Sequence, residues 1–184
     1  MNSGSSRSKV SPRDLAIEPL DTSLDRAAFC CGVPLLDDFF HNHAADFHKA
    51  YKTRVTVALY ERRIVGYYWL AVQSAAFSEF SKAARLQHEF AHTDLDTMPC
   101  VYLGMIATDR NMQGRGIGKA MMVHAMGQTL AVADRVGVYA LTLEAIDEET
   151  AKRYATWGFD YYLPDRLWMY MPLSTIKEAL DIAS

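Results

Sequence analysis

The stretch Gln113-Gly114-Arg115-Gly116-Ile117-Gly118-Lys119-Ala120 sets three glycines at alternate positions. It lies between the apolar run VYLGMIAT, Val101 to Thr108, and an apolar-periodic segment from Lys119 to Val136. That order predicts strand, loop, helix. Glycines in such a loop let the backbone approach a ligand and turn its amides outward, and the helix N-terminus adds partial positive charge. The loop therefore suits a phosphate or pyrophosphate. Two nucleotide motifs nearly fit and fail. A P-loop needs four residues between its glycines and then Lys-Ser/Thr, whereas three separate Gly114 from Gly118 and Ala120 follows Lys119, leaving no hydroxyl for magnesium. A dinucleotide fingerprint needs Gly-x-Gly-x-x-Gly, which Gly114, Gly116 and Gly118 do not give. Glycines alone are also compatible with a helix start that holds nothing.

Working outward, LLDDFFHNHAADFHKAY repeats Leu35, Leu36, Phe39, Phe40, Ala44, Phe47 and Tyr51 at helical spacing just after Pro34, which predicts one amphipathic helix. TRVTVALY and IVGYYWLAVQS, separated by Glu61, Arg62 and Arg63, predict an antiparallel hairpin. Helical spacing returns from Ser78 to about Phe90. Beyond the loop, VYALTLEAI reads as a strand, EETAKRYATW as a helix stopped by Gly158, and Phe159 to Tyr162 and Leu167 to Met171 as strands. This order implies an α/β or α+β fold with a mixed sheet covered by helices on both faces.

The 184 residues are 50% hydrophobic and 22% charged, the composition of one ordinary globular domain that buries roughly 70% of its unfolded surface without staples. A net charge of −3 excludes a protein whose whole surface is an electrostatic footprint for nucleic acid, though not a local basic patch. Cys30, Cys31 and Cys100 are odd in number and lack Cys-x-x-Cys spacing, so neither a disulfide framework nor a cysteine zinc site is indicated, and a reducing, cytoplasmic home fits. No apolar run reaches the roughly 18 residues of a membrane span. The Ser-rich, basic start reads as a disordered leader over residues 1–14, with one domain over 15–184.

The segment Gln113 to Gly118 resembles the Gln/Arg-x-x-Gly-x-Gly/Ala signature of the GNAT N-acetyltransferase superfamily, in the strand-loop-helix context that family uses. Ala151, Tyr154, Gly158 and Phe159 resemble its Ala-x-x-x-Tyr-x-x-x-Gly-Phe segment, with two residues instead of three between Ala151 and Tyr154. The resemblance implies the GNAT fold, a single domain with a central mixed, mostly antiparallel sheet flanked by helices on both faces. It implies acetyl-CoA as cosubstrate, its pyrophosphate on the loop formed by Gln113, Gly114, Arg115, Gly116, Ile117, Gly118 and Lys119, and its pantetheine beside Ile106, Ala107 and Thr108. An amine then attacks the thioester, a backbone amide near Ile106 or Ala107 meets the oxyanion, and the departing thiolate takes a proton. Tyr154 is the candidate donor, since a phenol with a reference pKa of about 10 is protonated at pH 7. The competing reading is a helix tyrosine that only fills the core.

FCCGVPLLDDFFHNHA, GYYWLAVQS, VYLGMIATDRNMQGRGIG and LWMYMPLSTIKEAL are similar to the acetyltransferase toxins of bacterial toxin–antitoxin modules. That branch implies acetylation of the amino group of aminoacyl-tRNA and a ribbon-helix-helix antitoxin as partner. Met105 stands where the branch commonly has Arg. Lys49, Lys52, Arg54 and Arg110 are candidate substrate phosphate contacts, and a solvated charged face is the alternative for each. The apolar C-terminal strand leaves room for pairing with a second copy. A transferase for a small-molecule or protein amine, without a toxin role, is the alternative function. A non-catalytic coenzyme-binding module is a further class, against which Tyr154 argues. A remoter alternative is a zinc hydrolase through His88-Glu89-x-x-His92, which needs a third ligand that no extension of the motif supplies. No metal is therefore expected, and His41, His43 and His48 read as facing solvent or an acidic partner.

Overall fold

The computed structural model describes residues 8–80, 96–163 and 167–181. Its strands are β1 (Leu15–Pro19), β2 (Arg54–Tyr60), β3 (Arg63–Ala76), β4 (Thr97–Thr108), β5 (Ala140–Glu144), β6 (Asp160–Leu163) and β7 (Trp168–Pro172). Its helices are α1 (Pro34–Asp38), α2 (Ala44–Lys49), α3 (Ile117–Ala133), α4 (Glu148–Ala155) and α5 (Leu173–Asp181). The strands hydrogen-bond in the order β1-β2-β3-β4-β5-β7-β6. The sheet is mixed: β4 and β5 run parallel, while β1–β2, β2–β3, β5–β7 and β6–β7 pair antiparallel. This is the GNAT fold that the sequence implies. By contacts the chain divides into two units, Met1–Leu70 with Met105–His124, and Ala71–Gly104 with Ala125–Ser184.

In the first unit the β2–β3 hairpin closes over Glu61 and Arg62, both left-handed (φ 49° and 62°), as a two-residue turn between twisted strands requires. The core beneath it is aromatic. Phe40 stacks on Tyr67 with centroids 4.2 Å apart, and Phe29 meets both edge-on. Each such buried ring contributes roughly 1.5–3 kcal/mol. Gly66 lets α3 lie against β3, since a Cβ there would stand 2.7 Å from the Met121 Cε and 3.0 Å from the Ala107 carbonyl oxygen.

The helix predicted from Leu35 to Tyr51 runs without a gap from Pro34 to Lys49 but is not a regular α-helix throughout. Between α1 and α2 the chain makes a π-turn over Phe39–His43, in which the Ala44 amide reaches the Phe39 carbonyl five residues back. The extra residue falls beside the most buried part of the helix, where Phe39, Phe40 and Ala44 are all buried. The helix stops at Lys49. Tyr51, expected on the buried face, is instead 81% exposed and left-handed at φ 56°.

The leader is ordered sooner than expected. Ser11 caps a 3-10 turn at Pro12–Asp14, and the Val10 amide donates to the Arg115 carbonyl at 3.1 Å, so the chain is held from Val10 onward. The Ser78–Phe90 helix lies outside the described residues except for a 3-10 turn at Phe77–Glu79.

In the second unit Phe80 stacks on Tyr162 at 4.9 Å and meets Tyr170 edge-on at 5.0 Å. Helix α4 begins at Asp147, whose carboxylate accepts the Thr150 amide at 2.7 Å. It carries Glu148 and Glu149 in its first turn and Lys152 and Arg153 in its last, matching the helix dipole, and ends toward Gly158 at φ 100°. The C-terminal strand β7 lies between β5 and β6, so both its edges are taken within the sheet, and β6 is the outer strand. Helix α5, which follows β7 directly, was not foreseen from the sequence.

Candidate functional site

Strand β4 ends at Thr108, and the chain enters α3 through a loop fixed by its own polar groups. The Asp109 amide donates to the Val65 carbonyl at 2.9 Å and the Met112 amide to the Asp109 carbonyl at 2.8 Å. The Asp109 carboxylate, 8% exposed, accepts the Asn111 amide at 2.9 Å and the Cys30 amide at 3.2 Å. In return the Arg110 amide donates to the Cys30 carbonyl at 2.9 Å. The Gln113 side chain donates to the Thr108 and Cys31 carbonyls, both at 3.1 Å. The Cys30-Cys31-Gly32 segment is held from its other side by Asp37, whose carboxylate accepts the Cys31 and Gly32 amides at 2.7 and 3.2 Å. Burial works against ionisation of Asp37, but these hydrogen bonds and those of the neighbouring thiols hold its carboxyl below the usual range.

Gly114 and Gly116 are both left-handed, at φ 79° and 89°, and a Cβ on either would meet no protein atom within 4 Å. The loop thus presents bare backbone to open space. The first α3 amide seen bonded to the turn before it is that of Ala120, to the Gly116 carbonyl at 3.0 Å, so the amides of residues 117 to 119 have no acceptor within the helix. Arg115 is half-buried and its Nε is enclosed without a partner among the described residues. Left-handed glycines, unspent amides and an orphaned guanidinium donor together fit an oxyanion, as a pyrophosphate requires.

Within this unit the predicted residues divide by accessibility. The Ile117 side chain is 1% exposed, which leaves only its backbone for a ligand. Ala107 is buried, Ile106, Thr108 and Gly118 are half-buried, and Gln113, Gly114, Gly116, Lys119 and Arg110 are exposed. Met105 accepts the Tyr67 hydroxyl at 3.7 Å and packs against the first core, so an apolar side chain suits that position. A cleft of about 630 Å³ opens beside the loop, lined among others by Arg62, Arg63, Asp109 and Arg115. The sequence reading passed over Asp109, Arg62 and Arg63. Asp109 sits one residue beyond the predicted strand, the one local signal for it, and the arginines look like ordinary turn residues until the hairpin brings them to the loop.

Lys49, Lys52 and Arg54 are brought together on the α2–β2 connection, all three exposed. Lys52 lies 4.9 Å from the Phe47 ring centroid and Arg54 5.2 Å from that of Tyr51. His41 and His48 differ from expectation, while His43 meets it. His41 bonds the Phe29 carbonyl at 2.8 Å, and half-buried His48 accepts the Val55 amide at 3.2 Å. Burial, with Arg54 nearby, lowers the His48 pKa, which keeps it a neutral acceptor. Only His43 has an acidic partner, Asp38, at 3.6 Å. Among the described residues no group of three or more His, Cys, Asp or Glu is placed to hold a metal, and His88-Glu89-x-x-His92 lies outside them.

Tyr154 belongs to the second unit, on the last turn of α4. Its ring is half-buried against Trp157 and Phe159, with centroids 5.7 and 5.8 Å away, and burial pushes the phenol up to about 12. It therefore keeps its proton at neutral pH, as a proton donor must.

The model of the acetyltransferase (GNAT) family matches residues 22–159. The chain belongs to that family. The similarity extends to individual acetyltransferases. The chain is 28% identical over 176 residues to a "probable toxin TacT" of Sinorhizobium fredii, covering 89% of this chain and 94% of the relative. It is 29% identical over 147 residues to a "tRNA-acetylating toxin" of Mycobacterium tuberculosis, covering 80% and 85%. Among solved structures it is similar to AtaT complexed with acetyl-methionyl-tRNAfMet, at a TM-score of 0.79 and 26% identity over 91% of this chain and 99% of that one. It is also similar to a point-mutant AtaT toxin bound to the C-terminus of the antitoxin AtaR and acetyl-CoA, at a TM-score of 0.74 and 26% identity over 91% and 98%. No helix among the described residues is long and apolar enough to cross a membrane.

Proposed function

We propose that this acetyltransferase moves the acetyl group of acetyl-CoA onto the α-amine of an aminoacyl-tRNA and acts as the toxin of a toxin–antitoxin pair, blocking translation. The observation that carries the acceptor is the similarity, over nearly the full length of both chains, to a toxin solved with an acetylated methionyl-tRNA. A ribbon-helix-helix antitoxin, encoded beside this chain, is the partner the reading calls for; the AtaT toxin bound to an antitoxin segment supports it.

On this reading the amides of residues 114 to 119 hold the coenzyme pyrophosphate, with Arg115 supplying the charge-assisted contact for which its Nε is free. Gln113 acts from behind: both hydrogen bonds of its amide nitrogen go to protein carbonyls, so it sets the loop rather than binding the ligand. The backbone at Ile106, Ala107 and Thr108 runs beside pantetheine and offers an amide to the oxyanion. The neutral amine attacks the thioester carbon, the C–S bond breaks, the Tyr154 hydroxyl protonates the coenzyme sulfur, and the new amide loses its proton to solvent. The phenolate is then reprotonated from water.

The test is to incubate the protein with acetyl-CoA and charged tRNA, hydrolyse the ester and weigh the released amino acids. N-acetylated amino acids formed faster than acetylated polyamine, aminoglycoside or lysine peptide support the reading. Acetylation confined to those amines overturns it.

A further inference from the structure

We propose that Tyr51, with Lys49, Lys52 and Arg54, is a stacking platform for an unpaired nucleotide, and that on this acetyltransferase it grips the single-stranded 3′ end of the RNA acceptor. The inference rests on the RNA reading above and deepens it. Four features of the α2–β2 connection carry it.

Tyr51 is among the most exposed large side chains described, at 81%, so its ring does not serve the core. It holds that position in a left-handed conformation, φ 56°, where a bulky side chain is strained and glycine is favoured. A residue that costs stability without a core contact in return points to a role outside the fold. Lys49, Lys52 and Arg54 surround it within five positions, and none of them forms an ion pair with a described residue. Asp46, three residues before Lys49, is the acidic group on the same helix, so the connection remains net positive. Arg54 already lies over the Tyr51 ring at 5.2 Å, which leaves the rest of that exposed ring for a base.

A cationic loop around an exposed aromatic ring matches single-stranded nucleic acid, which offers a base face and a phosphate together. Duplex RNA keeps its bases stacked on one another and offers the ring nothing. The local patch also accommodates the net charge of −3, since it concentrates the attraction at one place.

The experiment uses the whole protein and two labelled RNA hairpins, one ending in a single-stranded 3′ CCA tail and one blunt, with anisotropy as readout. Tyr51→Gly is expected to raise the Kd for the tailed hairpin by roughly 5- to 100-fold. It should leave the blunt hairpin unchanged and keep or raise the melting temperature, because glycine accepts the left-handed backbone. Tyr51→Trp should restore binding. Lys49→Ala and Lys52→Ala should each lower the salt slope on the tailed hairpin by about 0.7. Wild-type affinity in Tyr51→Gly, equal loss on both hairpins, no recovery in Tyr51→Trp, or no binding by the wild type overturns the platform. The acceptor reading is scored separately: if tailed RNA binds through Tyr51 but charged tRNA is never acetylated, the platform stands and that reading falls. If charged tRNA is acetylated with unchanged KM by Tyr51→Gly, the reading stands and the platform falls.

Discussion

The Asp109 carboxylate accepts the Cys30 amide at 3.2 Å, joining two backbone segments 79 residues apart, and with its other oxygen holds the Asn111 amide at 2.9 Å. One buried side chain therefore connects the glycine loop to the Cys30-Cys31-Gly32 segment. Removing it by Asp109→Ala leaves two amides without acceptors, at a cost of about 1.5–3 kcal/mol for each charged hydrogen bond. The expected result is a lower urea midpoint and a raised KM for acetyl-CoA with kcat little changed. Asp109→Asn keeps one carbonyl acceptor and should lie between the two. Wild-type KM in a destabilised Asp109→Ala protein would show that the loop does not depend on this tie.

The glycines of the loop are not equivalent. Gly116→Val adds a side chain whose Cβ meets no protein atom within 4 Å but strains a backbone held at φ 89°, at about 1–3 kcal/mol, and projects into the space assigned to the coenzyme. A Cβ at Gly118 stands 3.6 Å from the Thr108 Oγ1, an ordinary contact. Calorimetry should therefore find acetyl-CoA binding at least tenfold weaker in folded Gly116→Val, and near wild-type binding in Gly118→Ala. Equal affinities in the two variants would contradict the placement of the pyrophosphate.

Buried phenols make the fold sensitive to alkali. Burial pushes Tyr68, Tyr154 and Tyr170 up to about 12, and Tyr67, Tyr139 and Tyr162 in the same direction. The folded state thus holds protons that the unfolded chain releases near pH 10. Their contribution is fully present below pH about 10 and is lost as pH rises through the folded values. Urea midpoints measured between pH about 8 and 11 should be level at first and then fall; a midpoint that stays level or rises would contradict these burials.

What the sequence discloses follows from how local each feature is. Strands β2 to β5 and helix α3 are written in continuous apolar patterns, and the loop between β4 and α3 in its glycines, so both are legible. The π-turn between α1 and α2 is not, because it answers to packing against Tyr67 on β3, where both Phe39 and Phe40 stack. Strand β1 is only five residues long, with Leu15 and Ile17 half-buried between exposed neighbours, too short a pattern to stand out, and it exists through pairing with β2. Helix α5 starts directly after Pro172 at the end of β7, with no turn residues between strand and helix to mark the change. Asp109 is the main omission at the site, since its meaning lies in Cys30, far along the chain. Tyr51 was placed by period alone, and the π-turn shifted that period before the helix ended.

Acid-assisted acetyl transfer to an aminoacyl ester is put to the test by single-turnover kinetics with charged tRNA. The ester lowers the pKa of the acceptor α-amine below the roughly 7.7–8.0 of a free terminus. The wild-type rate should therefore rise with pH to an early plateau and stay level through neutral pH, because burial pushes the Tyr154 phenol up to about 12 and it keeps its proton there. Tyr154→Phe removes the hydroxyl while leaving the ring against Trp157 and Phe159. The account predicts unchanged acetyl-CoA affinity and a chemical step slower by about 10²- to 10⁴-fold. A Phe variant that acetylates charged tRNA at the wild-type rate would contradict it.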